Sequence, residues 1–120
     1  LVARLAQGFG MNVLAFDPFV PAEKMVAEGV TPVDALAELY KRSDYVSLHI
    51  PANDQTRKSV NYSLMSLMPK GACLVNTARK EVIDEADLAT VLADIARLEK
   101  LRQHATTRQH ILRQKLNLKE

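Results

Sequence analysis

Along residues 1–93, short apolar runs alternate with stretches whose apolar positions recur at helical spacing. Leu1 to Gly8 predicts a helix with Leu1, Leu5 and Gly8 on one face and Val2 and Ala6 beside it, opening without an N-cap residue. Asn12 to Phe16 is an apolar run closed by Asp17-Pro18, the pattern of a buried strand ending in a loop. Pro21 to Glu28 predicts a helix with Pro in its first turn and Gly29 as its stop. Val30 to Val33 predicts a short strand. Asp34 to Arg42 predicts a helix capped by Asp34, with Leu36, Leu39 and Tyr40 on one side. Asp44 to Ile50 predicts a strand that Pro51 ends.

Asn53 to Gln55 is polar loop, and Thr56 to Asn61 and Ser63 to Met68 predict two short helices, the second closed by Pro69-Lys70-Gly71. Ala72 to Asn76 has the length and polarity of another buried strand, with Cys73 inside it. Asp84 opens a helix through Leu92, and Asp87 stands at capping-box distance. Strands separated by helices imply βα units and a mostly parallel sheet. Ligands of such sheets sit beyond the carboxyl ends of the strands. That directs attention to Asp17, to His49–Pro51 and to Asn76–Arg79.

From Ile95 the texture changes: Gln, Arg, Lys and Leu dominate, and Gly and Pro vanish. Ile95, Leu98, Leu101 and Ala105, then Ile111, Leu112 and Leu116, make a helical stripe that Thr106 and Thr107 interrupt. The charge changes with it. Residues 95–120 carry seven Lys and Arg against Glu99 and Glu120, a net charge of +5, so residues 1–94 hold a net −3 behind the overall +2. The body gives no reason to expect nucleic-acid binding, and no aromatic residue interleaves the basic ones of the tail.

At 48% hydrophobic and 25% charged residues, the composition is that of a globular chain. No apolar run approaches the roughly 18–20 residues of a membrane span, and no signal peptide is visible, so no membrane partner is expected. The single Cys73 excludes an intrachain disulfide and suits a reducing, cytoplasmic setting.

Each strand-end residue has two readings. Asp17 can accept hydrogen bonds from both hydroxyls of an adenosine ribose and would repel a 2′-phosphate, which favours NAD over NADP; it also reads as a turn-forming Asp before Pro18. Arg79 can grip a substrate carboxylate with two parallel hydrogen bonds or polarise a neighbouring carbonyl; it also reads as a surface Arg of a βα loop. His49 can do acid–base chemistry, although packing near a ligand is the plainer reading. His104 and His110 are six apart and lack a Cys or acidic cluster, so no metal site is expected; Cys73 has no adjacent base and reads as packing.

Several segments in register resemble the nucleotide-binding domain of the D-isomer-specific 2-hydroxyacid dehydrogenases. They are Gly8-Phe9-Gly10-Met11-Asn12-Val13 running into Ala15-Phe16-Asp17-Pro18-Phe19, and Ser43-Asp44-Tyr45-Val46-Ser47-Leu48-His49-Ile50-Pro51 followed by Thr56. Met68-Pro69-Lys70-Gly71-Ala72 comes next, then Leu74-Val75-Asn76-Thr77-Ala78-Arg79 with Glu81-Val82-Ile83-Asp84-Glu85. The resemblance covers residues 1–93. It implies an α/β fold, a partial Rossmann-type doubly wound parallel sheet, with residues 94–120 as a basic helical tail of separate origin.

It also implies roles. Asp17 and Pro18 would meet the adenosine ribose of NAD; His49, Ile50 and Pro51 would line the adenine and ribose side; Thr77 and Ala78 would meet the nicotinamide end. Arg79 matches the family's catalytic arginine, which orients the substrate carboxylate. The implied reaction is hydride transfer between NAD and a D-2-hydroxy acid, with 3-phosphoglycerate the expected substrate, serine synthesis the expected setting and a homo-oligomer the expected parent.

The departures shape the expectation as much. The family's first strand and Gly-rich turn are expected before Leu1, and Leu1 to Gly8 would be the remainder of the helix that follows them. Lys80 stands where the family usually has Gly. The strand expected after Leu92, and the acid–base Glu and His beyond it, have no counterpart in residues 95–120, and that role is not carried onto His104 or His110. A fragment of this kind is expected to be inactive alone. The alternative is a non-catalytic binding or assembly module whose basic tail meets a partner helix or an acidic surface.

Overall fold

The computed structural model describes residues 1–117, with side chains through residue 106 and at residue 108. It divides into two compact units, Leu1–Asp84 and Glu85–Glu120.

The first unit is built from short βα pieces. Helix α1 (Val2–Gly8) has no side-chain cap at its start. Its end is closed by Gly10 at φ 78°, whose N–H donates to Gln7 C=O while Met11 N–H reaches Ala6 C=O. Helix α2 (Ala22–Ala27) begins after Pro21 and ends the same way at Gly29, φ 73°. The two helices are tied together: Arg4 donates to both carboxylate oxygens of Glu28 at 3.0–3.2 Å, and Gln7 Nε2 donates to the Glu28 and Gly29 carbonyls.

Strand β1 (Leu14–Ala15) pairs in parallel with β2 (Thr31–Pro32). Pro32 cannot donate, which suits an edge strand. Helix α3 (Leu36–Arg42) starts one residue later than a cap at Asp34 requires; Ala35 occupies the N-cap position, with no side-chain hydrogen bond. Of the expected α3 face, Tyr40 is fully buried, whereas Leu36 is exposed. Strand β3 (Tyr45–Leu48) alternates outward and inward, burying Val46 and Leu48.

The helix expected over Thr56–Asn61 is instead a turn. Asn53 Oδ1 accepts from the N–H groups of Gln55 and Thr56, and Thr56 Oγ1 accepts from Asn53 N–H. These side-chain bonds compete with a helix for the same backbone donors. Lys58 then takes φ 54°, and Val60 bridges in parallel to Ile83. Asn61 caps α4 (Tyr62–Met65) through Leu64 N–H, so the second short helix forms but ends earlier than Met68.

Strand β4 (Cys73–Asn76) pairs in parallel with β3, Tyr45 against Cys73 through Leu48 against Asn76. A 3-10 turn (Lys80–Val82) follows. Lys80 is not among the positive-φ residues, so its backbone does not call for the glycine usual in the family.

The sheet is not continuous: β1–β2 and β3–β4 are separate two-stranded parallel sheets. Two expectations are corrected by this. The run Asn12–Phe16 yields a two-residue strand that is half-buried, and Cys73 is exposed on β4. A parallel strand is buried when it has neighbours at both edges and helices over both faces. Here each strand has one neighbour. The core that remains among the described residues is Met25, Val30, Tyr40, Val46, Leu48, Val60, Met65 and Val82. Leu1, Phe9 and Phe19 lie almost fully in solvent.

The second unit is one helix, α5 (Glu85–Asn117), begun immediately after Asp84. It does not stop near Leu92, and Thr106 does not break it. Thr90 Oγ1 donates to Ala86 C=O and Thr106 Oγ1 to Arg102 C=O, so each hydroxyl is satisfied inside the helix. The side chains of His110, Ile111, Leu112 and Leu116 lie outside the described residues. Among the described residues, no helix is long and apolar enough to cross a membrane, and no cluster of His, Cys, Asp and Glu is arranged to hold a metal ion.

Candidate functional site

Leu48 against Asn76 is the last pair of the β3–β4 ladder. Because the strands are parallel, the chain leaves both at the same end. His49–Ile50–Pro51 and Thr77–Ala78–Arg79 therefore emerge side by side from adjacent strands. His49, Pro51, Thr77 and Arg79 are exposed, and Ile50 and Ala78 are half-buried.

Side-chain hydrogen bonds hold both loops. Ser47 Oγ and His49 Nε2 lie 2.8 Å apart, fixing the ring along its own strand. Thr56 Oγ1 donates to Pro51 C=O, closing the loop that follows. In the second loop Asn76 Nδ2 donates to Arg79 C=O at 3.2 Å, and Asn76 Oδ1 accepts from Ala78 N–H at 2.9 Å. Asn76 thus braces the segment that carries Arg79. The sequence points to Asn76 as a strand-end residue without giving it a role, and gives none to Ser47 or Thr56; the signal for Asn76 and Thr56 was a small polar residue at a strand end or loop, two or three residues from a backbone group in need of a partner.

Asp17 and Pro18 follow β1, in the other two-stranded sheet, and both are exposed. Asp17 Oδ1 accepts from Phe19 N–H at 2.9 Å, so the turn-forming reading holds. The bond occupies one oxygen and leaves the carboxylate acceptor capacity for a hydroxyl ligand. The Arg79 guanidinium has no ion pair or hydrogen bond among the described residues. Asp17 thus stands at the end of one two-stranded sheet, and the His49–Pro51 and Thr77–Arg79 loops at the end of the other.

A family model described as the D-isomer specific 2-hydroxyacid dehydrogenase, NAD binding domain, matches residues 1–102. D-3-phosphoglycerate dehydrogenase of Methanocaldococcus jannaschii is 40% identical over 93 residues, 78% of this chain and 18% of that protein. (S)-sulfolactate dehydrogenase of Chromohalobacter salexigens is 42% identical over 93 residues, 78% of this chain and 30% of that protein. Among solved structures, NAD+-bound 3-phosphoglycerate dehydrogenase of Entamoeba histolytica superposes with a TM-score of 0.70 at 33% identity, covering 78% of this chain and 28% of that one. The chain spans less than a third of the length of these relatives. On the family match and on parallel βα units that superpose on an NAD-bound relative, the chain belongs to the D-isomer-specific 2-hydroxyacid dehydrogenases, as part of their NAD-binding domain.

Proposed function

We propose that this chain supplies the coenzyme-facing strand ends of an NAD-dependent dehydrogenase acting on a D-2-hydroxy acid, with 3-phosphoglycerate as its substrate. The observation that carries the reading is the β3–β4 register, which sends the His49–Pro51 and Thr77–Arg79 loops out together. In it Asp17 and Pro18 meet the adenosine ribose, His49, Ile50 and Pro51 the adenine side, and Thr77 and Ala78 the nicotinamide end. NAD, when bound, supplies the hydride acceptor. Arg79 is the catalytic residue in the sense that it touches substrate: its planar fork holds a carboxylate by two charge-assisted bonds. Asn76 acts one step back, as a positioning residue for the Arg79 loop. The chain alone turns over no hydroxy acid, and its parent is a cytoplasmic homo-oligomer.

Titration of the purified chain with NADH, followed by coenzyme fluorescence, tests the cofactor reading; the sequence holds no Trp to interfere. Micromolar binding supports it. Millimolar or absent binding removes coenzyme binding as a property of this chain. In a full-length enzyme carrying this sequence, Arg79→Ala is expected to lower kcat/KM by about 100- to 1000-fold, about 3–4 kcal/mol. Unchanged turnover there would overturn the role of Arg79.

A further inference from the structure

We infer that Lys58 and Lys80 stand beside Arg79 as specificity-determining residues, selecting a hydroxy acid that carries a second anionic group, a phosphate monoester. The inference rests on the reading of Arg79 as the residue that holds the substrate carboxylate. Each of the two neighbouring segments carries an Arg-Lys pair, Arg57-Lys58 and Arg79-Lys80. One hydrogen bond brings the pairs together: Lys58 N–H donates to Glu81 C=O at 2.8 Å, and the bridge from Val60 to Ile83 continues the pairing. Backbones paired in this way run about 5 Å apart, so the two lysines stand on adjacent stretches of chain. All four cations are exposed, and among the described residues none of them takes part in an ion pair.

The concentration of positive charge is local. Residues 1–94 carry nine Lys and Arg against twelve Asp and Glu, yet four of the nine stand in these two pairs. Glu81, next to Lys80, keeps Oε2 buried and without a hydrogen bond, so that oxygen pairs with neither lysine. Lys58 holds φ 54°, a left-handed conformation that disfavours a side chain. Strain of that kind persists where the surroundings fix it, and it gathers at ligand sites. Lys80 stands in place of the family's usual Gly on a backbone that needs none, so what it adds is its ammonium group. Arg79 answers a carboxylate with its planar fork, whereas a lysine serves phosphate as a point charge. Two lysines match a phosphate monoester, which carries about −1.5 to −2 charges near pH 7, better than a group with a single charge.

Amide NMR titration of the full chain with 3-phosphoglycerate and with D-glycerate tests the assignment. The phosphorylated acid should bind about tenfold more tightly, shifting the amides of residues 57–58 and 79–81. Lys58→Asn suits the left-handed backbone, and Lys80→Gln leaves the backbone alone; each should cut the preference about threefold, and the two together about tenfold. An otherwise retained amide spectrum shows that the variants are folded. A preference untouched by both substitutions overturns the proposal, and so does a chain that binds neither acid. Equal affinity for 3-sulfolactate and 3-phosphoglycerate overturns the assignment to phosphate. Arg79→Ala separates this proposal from the reading beneath it. If it weakens neither acid, the carboxylate role of Arg79 falls. If it weakens both while the lysine variants change nothing, the lysine site alone falls.

Discussion

The side chain of Asn76 spans its own loop to Arg79. Its amide nitrogen donates to the Arg79 carbonyl at 3.2 Å, and its oxygen takes the Ala78 N–H at 2.9 Å. A flexible arginine is thereby mounted on a fixed stretch of backbone. Asn76→Ala should cost the fold about 1–2 kcal/mol, two ordinary hydrogen bonds in a half-buried place. Asn76→Asp keeps the acceptor for Ala78 but sets a carboxylate oxygen against the Arg79 carbonyl, so it should cost at least as much while sparing the Ala78 bond. Urea unfolding gives the order. Amide exchange gives the site: Ala78 should lose protection in Asn76→Ala and keep it in Asn76→Asp. Equal Ala78 protection in the two variants would remove the bracing role.

Asp17 serves its turn and, on the proposed reading, a ribose. The two tasks separate by substitution. Asp17→Asn keeps an oxygen for Phe19 N–H and should change stability by less than about 0.5 kcal/mol. It removes the charge that opposes a 2′-phosphate, so the NADPH-to-NADH affinity ratio should rise about tenfold, or about 1.4 kcal/mol. Asp17→Ala should lose the turn as well, by about 1 kcal/mol. Competitive titration with the two coenzymes measures the ratio, and an unchanged ratio in Asp17→Asn would end the ribose assignment.

Burial pushes the Tyr40 hydroxyl up from 10.0 to about 12. The unfolded chain releases this proton near pH 10, whereas the folded chain holds it until about pH 12. The contribution is therefore intact below pH 10 and is lost as pH rises from there through about 12. Tyr40→Phe cannot ionise and should lack this loss. Urea midpoints for both chains at about pH 9 and about pH 11.5 decide the matter. A parallel decline in the two would show that another group is responsible.

The open edges of the sheets should show in hydrogen exchange. Thr31 N–H donates to Val13 C=O and Val33 N–H to Ala15 C=O, so β1 gives its odd-numbered residues to β2. Cys73 N–H donates to Asp44 C=O, which gives the even-numbered residues of β3 to β4. In a parallel strand the alternate residues face the other edge. Leu14, Tyr45 and Ser47 amides should exchange much faster than those of Val46 and Val75. Strong protection at all five would mean that both edges are covered in solution.

The order of elements was legible because each short run declares its period: the alternation through Val46 and Leu48, the Pro21 start and Gly29 stop of α2, the apolar run before Asn76. The strand-end positions of Asp17, His49 and Arg79 followed from the same reading. Local competition was not legible. Whether Thr56 joins a helix or bonds back to Asn53 is a contest between near-equal hydrogen bonds, and in the structure the bonds to Asn53 form. The helical tail was legible in its apolar spacing, but that α5 runs unbroken from Glu85 past Leu92 and Thr106 was not, because Thr106 lowers helix propensity yet satisfies its hydroxyl within the turn.

The sequence by itself determined which residues are apolar, where turns and helix stops fall, and which family the chain resembles; these are properties of neighbours a few residues apart. Only the tertiary structure decided that the strands pair two by two. The same arrangement decided that Cys73 and the run before Asp17 are not buried, and that the His49 and Arg79 loops leave one end of one ladder. Burial and strand pairing depend on what stands across a strand's edge, and no residue carries that information in its own side chain.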